Sequence, residues 1–121
     1  MFVVVISENK FINVYKEYLE KLNIDFSNVI SPKEFSPLYT DIFNNYLLKR
    51  ADAVVILTPE DQFNFYMSKL CKTIYNTKEV ITSINNSNNR NVFTSIGVLD
   101  LIDFNCYAKE TLYGFLEKGV I

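Results

Sequence analysis

Apolar residues along this chain fall into short continuous blocks, separated by stretches where they recur every three or four positions. Phe2–Ile6, Ala53–Leu57, Val80–Ile84 and Val98–Ile102 are the blocks, rich in Val and Ile, and Ile24–Ile30 is a fainter one. Continuous rather than alternating runs mark strands covered on both faces, the habit of parallel sheets. Between them, Phe11, Val14, Tyr15, Tyr18, Leu19 and Leu22 share one side of a helix. Phe63, Met67, Leu70, Cys71 and Ile74 share a second, and Leu112, Phe115 and Leu116 a shorter third. Each stripe reads as core packing rather than as a binding surface.

Local chemistry punctuates the same pattern. Ser31-Pro32-Lys33-Glu34 and Thr58-Pro59-Glu60-Asp61 each offer a hydroxyl N-cap, a proline at the first helical position and an acid soon after. Gly97 follows Val92–Ile96 where a helix C′ residue belongs. Asn85–Asn91 is the one biased segment, a polar turn and cap rather than a reader of nucleobases. The resulting order, strand then helix five times over, predicts a single α/β domain over residues 1–121 with a mostly parallel five-stranded sheet.

In such sheets ligands bind outside the carboxyl ends of the strands, and a glycine-rich turn after the first strand cradles phosphate. No glycine occurs before Gly97, and that turn reads Ser7-Glu8-Asn9-Lys10. The other strand ends supply Ser31-Pro32, Thr58-Pro59-Glu60-Asp61, Asn85-Asn86 and Asp103-Phe104-Asn105. Helix N-termini attract anions, but Glu8, Glu60 and Asp61 already place negative charge there. The inventory predicts helix starts filled from within and little grip on a pyrophosphate.

Composition narrows the chemistry further. Histidine is absent, which removes the commonest general base, the Ser-His and Cys-His pairs and most zinc sites. We therefore expect no enzyme and no metal. A small magnesium-dependent enzyme using Glu8, Asp61 and Asp103 is the catalytic alternative. Lys and Arg are scattered and the formal charge is −2, so no basic face addresses nucleic acid. No apolar run approaches the ~20 residues of a membrane helix, so membrane insertion is not expected. Phe2–Ile6 lacks the basic flank and cleavage site of a leader. Cys71 and Cys106 lie far apart without metal or redox spacing, as reduced thiols in a cytoplasmic protein do.

From Ala51 onward the chain resembles the N-terminal Rossmann domain of the Trk potassium-uptake regulators, the RCK family. Ala51-Asp52-Ala53-Val54-Val55-Ile56-Leu57-Thr58 is similar to the family's fourth-strand entry, and Glu60-Asp61 with Asn64 to its acidic helix start. Lys78–Thr82 through Asn85-Asn86 is similar to strand five, and Phe93 with Gly97-Val98 to the step into the next strand. About 70 residues carry the likeness. The first half departs from it: the phosphate-loop glycines are missing, Asp25 sits near the start of its strand rather than the end, and the span from Asn23 to Ala51 is short for an extra helix and strand.

The resemblance implies a three-layer Rossmann-like domain that regulates potassium transport, with NAD(H), ATP/ADP or a related adenine nucleotide as ligand. Thr58 and Asn64 are the contacts it carries over; Ser7, Glu8, Ser31 and Asp61 join them from the strand-end inventory. It also implies a homo-oligomer or a paralogous regulator subunit, and a membrane potassium transporter as partner, met from the cytoplasmic side. Ten Phe and eight Tyr exceed what one small core readily hides. Tyr39, Phe43, Tyr46, Tyr107 and Tyr113 could cover such a partner. The alternative is a degenerate response-regulator receiver lacking phosphotransfer, since Ser7-Glu8 stands where an acidic pair belongs and Thr58 where the phosphorylated Asp belongs. A strand order of 3-2-1-4-5 would favour the regulator, and 2-1-3-4-5 the receiver.

Overall fold

The computed structural model describes residues 1–7, 12–30 and 46–119. Its elements run β1 (Phe2–Ser7), α1 (Ile12–Lys21), β2 (Asp25–Ile30), α2 (Tyr46–Arg50), β3 (Ala53–Leu57), α3 (Asp61–Thr73) and β4 (Glu79–Ile84). A short 3₁₀ turn (Ser87–Asn89), α4 (Arg90–Ser95), β5 (Asp100–Asp103) and α5 (Phe104–Gly119) follow. Every strand pairing is parallel, in the order β2-β1-β3-β4-β5. That is the order sequence reasoning assigned to the receiver.

Because side chains alternate across a strand, the apolar runs feed two cores. Val4, Ile6, Val54, Ile56, Val80 and Ile84 face Leu48 of α2, Phe63, Met67 and Cys71 of α3, and Phe93 of α4. Val3, Val5 and Ala53 face the opposite layer, where Leu19 of α1 and the half-buried Phe26, Val55 and Leu57 join them. Burying each such side chain contributes about 1.5–3 kcal/mol, and the two sets explain why the strand blocks were continuous. Phe65 and Phe93 meet edge to face at 5.6 Å, fastening α4 to α3. Asp52 accepts the Phe2 N–H at 2.7 Å, tying the start of β1 beside β3.

The helix termini correct two readings. Gly97 is the C′ residue as anticipated, with φ +86°, and its N–H and that of Val98 reach back to Thr94 and Phe93. Since Val98 closes that turn, β5 begins at Asp100 rather than Val98. Thr58, by contrast, is not the N-cap of α3. Glu60 occupies that position in extended conformation without a side-chain bond. The Ser31 helix start lies outside the described residues, as do Glu8 and the side chains of Tyr39, Phe43 and Tyr46.

The third apolar stripe is not core. Leu112, Phe115 and Leu116 are exposed, Phe115 at 69%, and Tyr107 and Tyr113 are exposed beside them. α5 follows the edge strand β5, so the sheet offers it less surface than an inner helix receives. Tyr18, Leu22 and Ile74, assigned to the other two stripes, are exposed as well. Among the described residues, no helix is long and apolar enough to cross a membrane.

Candidate functional site

β3 and β4 end side by side, and the turn after β3 delivers α3 directly above them. Asn64 lies one turn into that helix, fully buried, where an unpaired amide would cost about 1–3 kcal/mol. It is satisfied on both ends. Its Oδ1 accepts the Thr58 hydroxyl at 2.5 Å, and its Nδ2 donates to the Thr58 and Ser83 carbonyls, each at 3.0 Å. The Ser83 hydroxyl donates to the Thr58 carbonyl at 3.1 Å. Thr58, Asn64 and Ser83 thus suture the two strand ends to the helix, in the low-dielectric setting where a complete polar network is most effective.

Asp61, at the first turn of α3, does not serve its own helix. Its Oδ1 accepts the Asn85 N–H at 2.7 Å and the Asn85 side-chain amide at 3.0 Å. Its Oδ2 accepts the Asn86 N–H at 3.0 Å and the Asn89 side-chain amide at 2.7 Å. The acid that the sequence pattern assigned to this helix start therefore binds the loop after β4 instead. The reason is placement: the loop after β4 presents two consecutive backbone amides toward the carboxylate, and the amides of Asn85 and Asn89 enclose it. Asn86 caps the 3₁₀ turn by accepting the Asn88 N–H, as the turn-and-cap reading anticipated.

A second acidic centre closes the far side. Asp103 ends β5 with its side chain only 5% exposed. It accepts the Ser87 hydroxyl at 2.6 Å and the Cys106 N–H at 2.9 Å, with Arg90 at 3.9 Å. The Ser87 hydroxyl, and after it the Cys106 amide, holds the Asp103 carboxyl below the ordinary aspartate value. Burial in the core pushes the Cys71 thiol up to about 11, the mark of an inert structural cysteine.

Thr58, Asp61 and Asn64 therefore stand together at the ends of β3 and β4. Ser7 is buried at the end of β1, paired in register with Leu57 of β3, one strand away from the network. Glu8 and Ser31 lie outside the described residues. Ser83, Ser87 and Asn89 were missed by sequence reasoning. Ser83 had a signal, a hydroxyl pair Thr82-Ser83 inside an apolar strand. A shallow hollow of about 280 Å³ opens on the outer flank of Asp61, between Gln62, Phe65, Asn89 and Val92. Among the described residues, no group of three His, Cys, Asp or Glu is placed to hold a metal ion.

The family model of the TrkA-N domain matches residues 34–103, more than half of the chain. No curated protein sequence matches it. Two solved structures share the fold. The crystal structure of the GsuK RCK domain superposes with a TM-score of 0.76 at 15% identity, covering 98% of this chain and 28% of that one. The GsuK channel bound to NAD gives 0.74 at 12% identity, covering 96% and 23%. This chain belongs to the TrkA-N domain family. Strand order could not have separated the two readings: a 3-2-1-4-5-6 sheet counted without its third strand renumbers to 2-1-3-4-5.

Proposed function

We propose that this chain is a non-catalytic, cytoplasmic regulatory domain for potassium transport, which assembles with itself or a paralogous subunit and acts on a membrane transporter. The TrkA-N match over residues 34–103 carries this reading. The chain spans about a quarter of the solved chains it resembles, so the transporter contact is assigned to the assembled protein rather than to this domain alone.

For its ligand we assign NAD(H) or an adenine nucleotide at the strand ends, with Ser7, Thr58, Asp61 and Asn64 on that rim, and with Glu8 and Ser31 assigned from the sequence pattern alone. The donor set fits one part of such a molecule and not the other. A carboxylate suits ribose hydroxyls as an acceptor, and since both Asp61 oxygens already accept two bonds each, that role falls to Asp103. A pyrophosphate needs amide donors, and Asp61 already occupies those of Asn85, Asn86 and Asn89. Thr58 and Asn64 are committed to each other and to β4, so their role is to position the rim.

The exposed stripe of α5 supports assembly. Phe104, Ala108, Leu112 and Phe115 recur at helical spacing on one side. The helix carries Lys109, Glu110, Glu117 and Lys118, a balance of charge that sets no electrostatic barrier against its own copy.

Thermal unfolding with NAD⁺, NADH, ATP, ADP and AMP, together with light scattering, tests the proposal. A nucleotide at 100 times its dissociation constant should add about 2.7 kcal/mol of stability, and the mass should exceed one chain. A monomer that no nucleotide stabilises would overturn it.

A further inference from the structure

We infer that the first turn of α5 is latched to the strand-end network, so that the apolar face of α5 and the Thr58–Asn64–Asp61 rim respond to each other. Two hydrogen bonds form the latch. The Asn105 side-chain amide donates to the Asn85 carbonyl, and the Ser87 hydroxyl donates to Asp103. Each joins α5, or the residue just before it, to the loop between β4 and α4.

That loop is itself held from the other side. Asn85 gives its backbone N–H to Asp61 and its side-chain amide to Asp61 and the Thr58 carbonyl. Asp103 in turn accepts the Cys106 N–H inside the first turn of α5. The path from Asn64 to α5 therefore runs through consecutive bonded groups: Thr58, Asn85, then Asn105. A parallel path runs from Asp61 through the 3₁₀ turn to Ser87, Asp103 and Cys106. Both cross the same loop.

The outer bonds of the latch lie at the surface. Ser87 and Asn105 are exposed, so each bond can be exchanged for solvent at small cost, whereas the Asn64 suture beneath is buried and fixed. Opening frees α5 to reorient without disturbing the sheet. If the strand ends take a nucleotide as proposed above, a ligand touching the loop biases the latch and hence the assembly face. That use rests on the proposed function; the latch does not.

Hydrogen exchange on the whole chain, without nucleotide or partner, tests it. In Asn105→Ala and in Ser87→Ala, the Asn85 and Asn86 amides should exchange about fivefold faster, the effect of removing one net hydrogen bond. The Val4–Ile6 amides of β1 should not change. In the reverse direction, Asp61→Ala should speed exchange at Cys106. Changes confined to α5 in Asn105→Ala and Ser87→Ala would refute the latch, and those two variants decide even if Asp61→Ala fails to fold. A refuted latch leaves the nucleotide reading intact, and an absent nucleotide response leaves the latch intact.

Discussion

At the scale of single residues, the buried amide of Asn64 decides more than any charged group. It bridges Thr58 and Ser83, so Asn64→Ala takes the short-range acceptor from the buried Thr58 hydroxyl and one donor each from the Thr58 and Ser83 carbonyls, besides opening a cavity. We expect a loss of about 2–3 kcal/mol, read as a lower urea midpoint, while Asn64→Asp should cost at least as much by burying an unpaired charge. Asp103 supplies the pH dependence. Its folded pKa lies below the ordinary aspartate value, so on acidification the unfolded chain takes up the proton first. The stabilisation is complete above about pH 4 and is lost as pH falls through the folded value. Urea midpoints between pH 5 and pH 2.5 should fall less steeply in Ser87→Ala, which removes the largest cause of the shift. An unchanged slope would mean that the hydroxyl does not hold the carboxylate. None of this pairing was visible beforehand. The sequence supplied Thr58, Asp61 and Asn64 as neighbours in the chain, but Ser83 and Asn89 arrive from across the sheet, and no periodicity reports which amide meets which carboxylate.

Elements were far more legible, for reasons their residues make plain. The blocks Phe2–Ile6 and Ala53–Leu57 are strands because β-branched residues without polar alternation suit only a sheet covered on both faces. Gly97 was legible because a left-handed φ at a helix end leaves little choice of residue. Gly97→Ala meets no neighbour within 4 Å, yet should still destabilise the chain by about 1 kcal/mol through its backbone alone. Thermal unfolding checks that figure, and a neutral result would place the cost of the turn elsewhere. The misreadings lie where pattern and environment part. The stripe Leu112, Phe115 and Leu116 is helical, as its spacing said, but spacing cannot say what covers it. Thr58-Pro59-Glu60-Asp61 has the composition of a cap, and the Thr58 hydroxyl does accept the Glu60 N–H at 3.3 Å while donating to Asn64, but the helix begins two residues later than that pattern says, so the bond closes the turn before α3 rather than its first turn.

At the scale of the whole molecule, the question is what keeps α5 folded. It is a 16-residue helix with Gly114 in its interior, and helices near that length are marginal in water unless an amphipathic face is packed. Its apolar side chains are exposed within one chain, so its order depends on a second surface. If that surface is another copy, helicity is linked to association by mass action. Circular dichroism should then show helix content falling on dilution, over the same concentrations at which light scattering shows the assembly dissociating. Leu112→Lys with Phe115→Lys places like charges on the apposed faces and should yield a monomer at all concentrations, its helicity reduced and no longer dependent on dilution. Because both positions are exposed, the sheet should keep its stability, which near-constant exchange of the Val4–Ile6 amides would register. A wild-type chain that stays monomeric with constant helicity would remove the assembly face from α5. The latch at Asn105 would then act only on how that helix sits against its own sheet.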